Sequence, residues 1–262
     1  MSTFKITLAY DGTDYIGWQR QASGTSIQGL VEDALRELDG REVSVAGAGR
    51  TDAGVHALGQ VASFTLERSI EPLTVLRSLN AKLPPDVRVR TAEAAAPGFH
   101  ARFDARSKTY RYRIWNGEVL NPFERRYVWH IVNPLDVDAM ASAARTLEGT
   151  HDFAAFQGTG SDASTTVRTI AQSIVQSTIQ SAFRHPQSAL IEFSISGDGF
   201  LRHMVRAIVG SLVEVGRGRQ PASWLGEVLA SRRRERAGQT APPHGLALMA
   251  VDYPPALVAA KS

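Results

Sequence analysis

Apolar and polar positions alternate from the start of the chain. Phe4, Ile6, Leu8 and Tyr10 share one face, with Lys5, Thr7 and Ala9 on the other, the period of a half-buried strand. Asp11-Gly12-Thr13 ends it in a turn. Beyond Thr25 the period lengthens. Ile27, Leu30, Val31, Ala34, Leu35 and Leu38 recur at three-four spacing, which predicts a helix with one buried face. Thr25 and Gln28 have the form of a capping box at its start, and Asp39-Gly40 stops it. Val43 and Val45 predict a second strand, and Ala62, Phe64 and Leu66 a third. Leu73, Leu76, Leu79 and Leu83 predict another helix, closed by Pro84-Pro85. Val87 and Val89 then alternate with Arg88 and Arg90 in a strand.

The second half opens with Tyr110, Tyr112 and Ile114 on one side of a strand and Arg111, Arg113 and Trp115 on the other. Met140, Ala144 and Leu147 lie along a helix. Val167 to Val175 reads as a strand, and so does the run Ala189, Ile191, Phe193 and Ile195. Gly197-Asp198-Gly199 turns the chain into the clearest helix, striped by Leu201, Met204, Val205, Ile208, Val209, Leu212 and Val213. A further helix from Trp224 ends in the cluster Arg232-Arg233-Arg234-Glu235-Arg236. Leu246, Leu248 and Ala250 predict a last strand before Pro254-Pro255. Hairpin-like strands interrupted by helices predict an α+β protein with a largely antiparallel sheet and helices on one face. Each half carries strands and at least two helices.

Composition narrows the class. A chain of 262 residues, 43% of them hydrophobic, can bury a sizeable core in one large or two smaller domains. It has no cysteine, which excludes a disulfide framework and cysteine-based metal sites. No run is apolar enough for a signal-peptide core or a membrane span, so a soluble cytoplasmic protein is expected, with no membrane partner. The net charge is only +3, but the basic residues are overwhelmingly arginine, with lysine at Lys5, Lys82, Lys108 and Lys261 alone. Arginine makes bidentate phosphate contacts and stacks on bases, while a biased codon composition accounts for part of the same ratio.

The stretch Gly47-Ala48-Gly49-Arg50-Thr51-Asp52-Ala53-Gly54-Val55-His56 holds the most concentrated candidate chemistry. Glycines bracket one arginine and one aspartate, and such a loop can present both at a fixed angle. A carboxylate held ionised by a nearby arginine serves as a nucleophile or a general base. The dinucleotide fingerprint fails because Asp52 stands where the third glycine belongs. A P-loop fails because Val55 and His56 follow Gly54 in place of Lys and Ser or Thr. The residues alone leave open a strand-to-strand turn with a surface salt bridge. They equally leave Tyr110 as a core aromatic and Arg206 as part of a solvated helix face.

Other enzyme classes find little support. His56, His100, His130, His151, His185, His203 and His244 show no close ligand spacing, so no metal is expected. Gly24-Thr25-Ser26-Ile27-Gln28 lacks the last glycine of a nucleophile elbow. Asp52 has no acidic partner within its motif, whereas a glycoside hydrolase uses two facing carboxylates.

The string GRTDAGVHALGQV resembles the signature of the tRNA pseudouridine synthase A family. AYDGTDYIGWQRQ, FHARFDARSKTYRYRI and GFLRHMVRAIVGSLVEVG resemble further family segments in the same order, so the likeness runs from about Ile6 to Tyr253. It implies a pseudouridine-synthase-like fold, two α/β domains with joined sheets and a central cleft. We place their boundary near Asp104-Ala105, giving domains 1–104, with the aspartate loop, and 105–262.

The resemblance implies isomerisation of uridine to pseudouridine at positions 38, 39 and 40 of the tRNA anticodon stem-loop, without a cofactor. Asp52 becomes the nucleophile and Arg206 the arginine that keeps it charged. Arg50 helps displace the base from its stack. Tyr110 stacks on the extruded uracil, and its hydroxyl can take the C5 proton. Arg202 and His203 join the substrate-binding set with Tyr110 and Arg50. Arg20, Arg88, Arg90, Arg102, Arg106 and Arg111 are candidates for gripping phosphates. The family acts as a homodimer on tRNA. One departure stands out: Ala207 follows Arg206 where the family usually has asparagine. The competing expectation is a non-catalytic RNA-binding protein on the same scaffold.

Overall fold

The computed structural model describes residues 1–160, 163–179 and 188–254. His185, Pro255 and Lys261 lie outside the described residues. The chain divides into two compact units: Met1–Lys108 with the chain from Ala247 onward, and Thr109–Leu246. Helices combine with mostly antiparallel strands, the expected α+β class. Among the described residues no helix is long and apolar enough to cross a membrane.

In the first unit β1 (Ser2–Tyr10) lies between β3 (His56–Leu66) and β4 (Val87–Ala94), antiparallel to both. Its alternation is read out directly: Phe4, Ile6, Leu8 and Tyr10 are buried. β10 (Leu246–Asp252) runs parallel to β3, pairing Ala247 with His56 and Leu248 with Ala57. The last strand thus joins the sheet begun by the first.

Helix α1 (Ile27–Asp39) buries Ile27, Val31, Ala34 and Leu35, as its spacing predicts. Its cap differs from the expected box. Ser26 is the N-cap, its Oγ accepting from Gly29 N at 3.1 Å. Gln28 is drawn elsewhere: its amide oxygen accepts from Arg20 N and its amide nitrogen donates to Val45 O, both at 3.0 Å. The expected strand at Val43 and Val45 shrinks to β2 (Ala46–Gly47), which pairs with Ala62 and Ser63 of β3. Both valines are buried, so their hydrophobicity serves the core without ladder hydrogen bonds. α2 (Pro72–Lys82) packs beside α1 and buries Val75 and Leu79.

In the second unit β5 (Ser107–Asn116), β9 (Ala189–Gly197), β8 (Val167–Ile179) and β7 (Gly149–Asp152) are adjacent in that order, with the short β6 (Trp129–Ile131) parallel to β5. α3 (Val137–Arg145), α4 (Met204–Gly216) and α5 (Trp224–Ser231) pack with one another. Eleven of the thirteen residues of α4 are buried, which makes it the central helix of the unit.

Candidate active site

The Asp52 loop hangs between β2 and β3 and is held on two sides. A second strand-like segment, Gly17-Trp18, runs antiparallel beside it and forms a bridge between Gly17 and Asp52. Trp18 N donates to Thr51 O at 3.0 Å, and Gly54 N to Tyr15 O at 3.3 Å. Gly17 has φ +107° and lies so close that a Cβ would meet Thr51 O at 2.5 Å and the Asp52 carbonyl carbon at 3.0 Å. Only glycine meets both demands without strain.

Beneath the loop lies a buried polar cluster. The Tyr10 hydroxyl and Thr51 Oγ1 are 2.8 Å apart. Gln60 donates from its amide nitrogen to Gly49 O at 2.8 Å and to the Tyr10 hydroxyl at 3.4 Å. All three side chains are buried. Burial pushes the Tyr10 phenol up to about 12, against the lowering effect of its bonds to Thr51 and Gln60, so it stays neutral at ordinary pH. At the far end of the loop His56 Nδ1 accepts from Gly12 N at 3.0 Å and stands 3.1 Å from Asp11 Oδ1. Gly49 and Thr51 are therefore tied downward. Between and beyond them Arg50 is exposed and Asp52 half-buried.

Tyr110, in the second unit, is 7% exposed, with its ring edge-on to Phe200 at 5.0 Å between centroids. It shares the buried face of β5 with Tyr112 and Ile114, as the alternation predicts. Arg206 is half-buried on α4. Its Nε donates to Ala241 O at 2.7 Å, while Ala241 N donates to Arg206 O at 3.0 Å. This two-way link fixes the direction of the guanidinium. Ala207 is fully buried and its N donates to His203 O at 2.9 Å.

The apolar stripe that predicts this helix begins at Leu201. The helix begins at Met204 instead, because His203 at its N-cap takes a left-handed conformation, φ 60°. Arg202 thus precedes the helix, and its guanidinium donates to Thr159 O and Gly160 O at 3.0 and 3.1 Å. His203 packs its ring against Gly158, where a Cβ would meet Nδ1 at 2.6 Å.

The phosphate candidates differ in availability. Arg20 is paired with Glu32 and Asp33 at 2.9 and 2.8 Å, and Arg88 donates to three backbone carbonyls. Arg111 stands 3.6 Å from Glu192. Arg90 donates to Leu58 O at 3.0 Å. Arg102 and Arg106 are exposed. Among the described residues no group of three His, Cys, Asp or Glu side chains is placed to hold a metal ion.

Sequence reasoning passed over Tyr10, Thr51 and Gln60. The signal was present in part: Gln60 interrupts an otherwise apolar run in β3, at a position where all neighbours but Leu58 and Thr65 are buried.

A family model described as tRNA pseudouridine synthase matches residues 6–104 and 143–254. The chain is similar to the tRNA pseudouridine synthase A of Myxococcus xanthus, 48% identical over 259 residues that cover 98% of this chain and 95% of that protein. It is similar to the protein of the same name from Moorella thermoacetica, 47% identical over 255 residues, covering 97% and 100%. The one from Pelobacter propionicus is 44% identical over 253 residues, again covering 97% and 100%.

Proposed function

The chain belongs to the tRNA pseudouridine synthase family, and from that premise we propose that it converts uridine to pseudouridine at positions 38, 39 and 40 of the tRNA anticodon stem-loop, with Asp52 as nucleophile. The observation that carries the role of Asp52 is its setting: a half-buried carboxylate in a loop pinned on two sides, with the exposed Arg50 two residues away.

The reaction is an isomerisation. The N1–C1′ bond breaks, the C1′–C5 bond forms, C5 gives up a proton and N1 gains one. Atoms and electrons balance without oxidant or cofactor. We assign to Asp52 the attack that frees the uracil, by a carboxylate oxygen on the nucleoside. Arg50, exposed beside it, displaces the target base from its stack. Tyr110 stacks on the uracil and takes the C5 proton through its hydroxyl; stacking of this kind is worth about 1–3 kcal/mol. Arg206 is assigned the cationic partner of the Asp52 carboxylate. The Nε bond to Ala241 O fixes one edge of the guanidinium on α4. Arg202 and His203 join Arg50 and Tyr110 in binding substrate. A homodimer acting on tRNA in the cytoplasm belongs to the same reading and is supported by the family.

Incubation with unmodified tRNA, followed by mapping of pseudouridine in the anticodon arm, tests the proposal. Wild type should modify these positions and Asp52→Ala should not. Tight tRNA binding by wild type with no isomerisation would instead make the chain a non-catalytic RNA binder.

A further inference from the structure

Gly49 and Thr51 stand on either side of Arg50, and Thr51 immediately precedes Asp52. Both are bound to side chains that reach up from the sheet. Gln60, from β3, donates to Gly49 O at 2.8 Å, and Tyr10, from β1, lies 2.8 Å from Thr51 Oγ1. Gln60 and Tyr10 are themselves bonded, at 3.4 Å. The result is a closed link from one tethered loop residue to the other through two neighbouring strands.

The cluster is an odd choice if stability were its only purpose. Gln60 is wholly buried, and its amide oxygen has no hydrogen-bond partner. The other orientation of the amide would set that oxygen against Gly49 O and lose the donor. The orientation seen therefore serves the loop at the cost of an unsatisfied acceptor. A buried polar group left in that condition is destabilising, and such groups call for an explanation beyond packing. A leucine at this position would fill the space without the penalty.

We propose that Gln60 and Tyr10 are positioning residues for the isomerisation, acting through Gly49 and Thr51 to set the directions of Arg50 and Asp52. This rests on the nucleophilic role of Asp52 given above. Neither side chain touches the substrate. Each fixes one backbone or hydroxyl anchor, and the two anchors alternate with the two functional residues. A nucleophile displaced by about 1 Å loses on the order of 100-fold in rate, so loosening either anchor slows the chemical step while the surface that meets tRNA stays intact.

The test measures three quantities on the full-length protein: the single-turnover rate of pseudouridine formation at saturating enzyme, the Kd for tRNA, and the melting temperature. Gln60→Leu and Tyr10→Phe should each lower the rate by about 10- to 100-fold. The Kd should stay within about threefold of wild type, since neither group reaches the surface. The melting temperature should move by no more than about 4 °C, the change expected from one modest hydrogen-bond loss in a chain of this size. Thr51→Val, which removes the hydroxyl but keeps the shape, should behave like Tyr10→Phe. Thr51→Ser, which keeps the hydroxyl, should restore most of the rate. The double variant Tyr10→Phe with Thr51→Val should be no slower than either alone.

Unchanged rates in Gln60→Leu and Tyr10→Phe would overturn the proposal. So would rates that fall only in step with lost stability, or a weakened Kd with a normal rate. Asp52→Ala is run alongside. Activity retained there refutes the nucleophile, whereas activity lost there but unchanged in Gln60→Leu and Tyr10→Phe refutes the positioning role alone.

Discussion

The loop carrying Asp52 and the helix carrying Arg206 are held by different means. The loop is suspended from hydrogen bonds: Tyr10 and Gln60 from below, the Gly17-Trp18 segment alongside. The helix is held by contact. α4 is nearly all buried, and at Gly210 its backbone passes so close to Gln239 that a Cβ would collide with the Gln239 carbonyl. Ser211 Oγ accepts from Gly238 N at 2.9 Å, and Arg206 is bonded twice to Ala241. Hydrogen bonds specify direction and leave volume free, which suits a loop that must receive a nucleotide. Close packing specifies position and leaves no volume, which suits a fixed source of charge. Added bulk within α4 should therefore show first as lost stability, and polar groups lost from beneath the loop as a lost reaction rate.

The largest expected effect breaks the packed side. Gly210→Val has to push the Gln239 backbone away from α4, and overpacking against a main chain should cost about 3 kcal/mol of stability, read from denaturant unfolding. A cost below about 1 kcal/mol would mean that the contact gives way easily and the contrast is overstated.

Arg206→Lys comes next. Lysine keeps the charge but cannot donate from Nε to Ala241 while presenting a planar tip. The isomerisation rate should fall by about 10- to 100-fold with folding largely retained. A rate equal to wild type would show that charge alone suffices.

The position at which α4 starts gives a smaller effect. His203 has φ 60°, which glycine adopts freely and alanine does not. His203→Gly should be more stable than His203→Ala by about 1 kcal/mol, in calorimetry or denaturant titration. Equal stabilities would show that the left-handed turn carries no strain. Both variants should weaken tRNA binding if the imidazole contacts substrate.

The smallest effect lies on the loop side and concerns pH. Burial raises the Tyr10 phenol to about 12 in the folded chain, while an unfolded tyrosine ionises near 10. A group raised on folding contributes its stability below the unfolded value and loses it as pH climbs through the folded one. Unfolding free energy should therefore decline between about pH 10 and 12. Tyr10→Phe should decline less steeply there. Burial also raises Tyr15, Tyr112 and Tyr253, so part of the slope remains in the variant. Identical slopes would mean that the phenol is not held neutral beneath the loop.

The same two regions show what a sequence discloses. Periodicity located α1 and α4 and the alternating strands β1, β5 and β9, because a single period reports a single buried face. It marked the glycines around Asp52 but not what they rest on. Tyr10 and Gln60 lie 50 residues apart, and only the pairing of β1 with β3 brings them together. Val43 and Val45 look like a strand because burial and strand formation favour the same side chains. The start of α4 was misplaced because Leu201 fits the apolar stripe, while the left-handed turn at His203 has no signature in an imidazole side chain. The cap of α1 slipped by one residue because Thr25 and Ser26 are both capping residues, and the choice depends on a bond from Gln28 to the distant Val45.

The central claim is that the carboxylate at position 52 performs the chemistry, not merely the folding of its loop. Asp52→Asn tests it most directly, since it keeps size and hydrogen-bonding shape and removes the charge. With saturating enzyme and unmodified tRNA, tRNA affinity should stay within about threefold of wild type and no pseudouridine should form at positions 38 to 40. Pseudouridine formed there by the asparagine variant at the wild-type rate would contradict it.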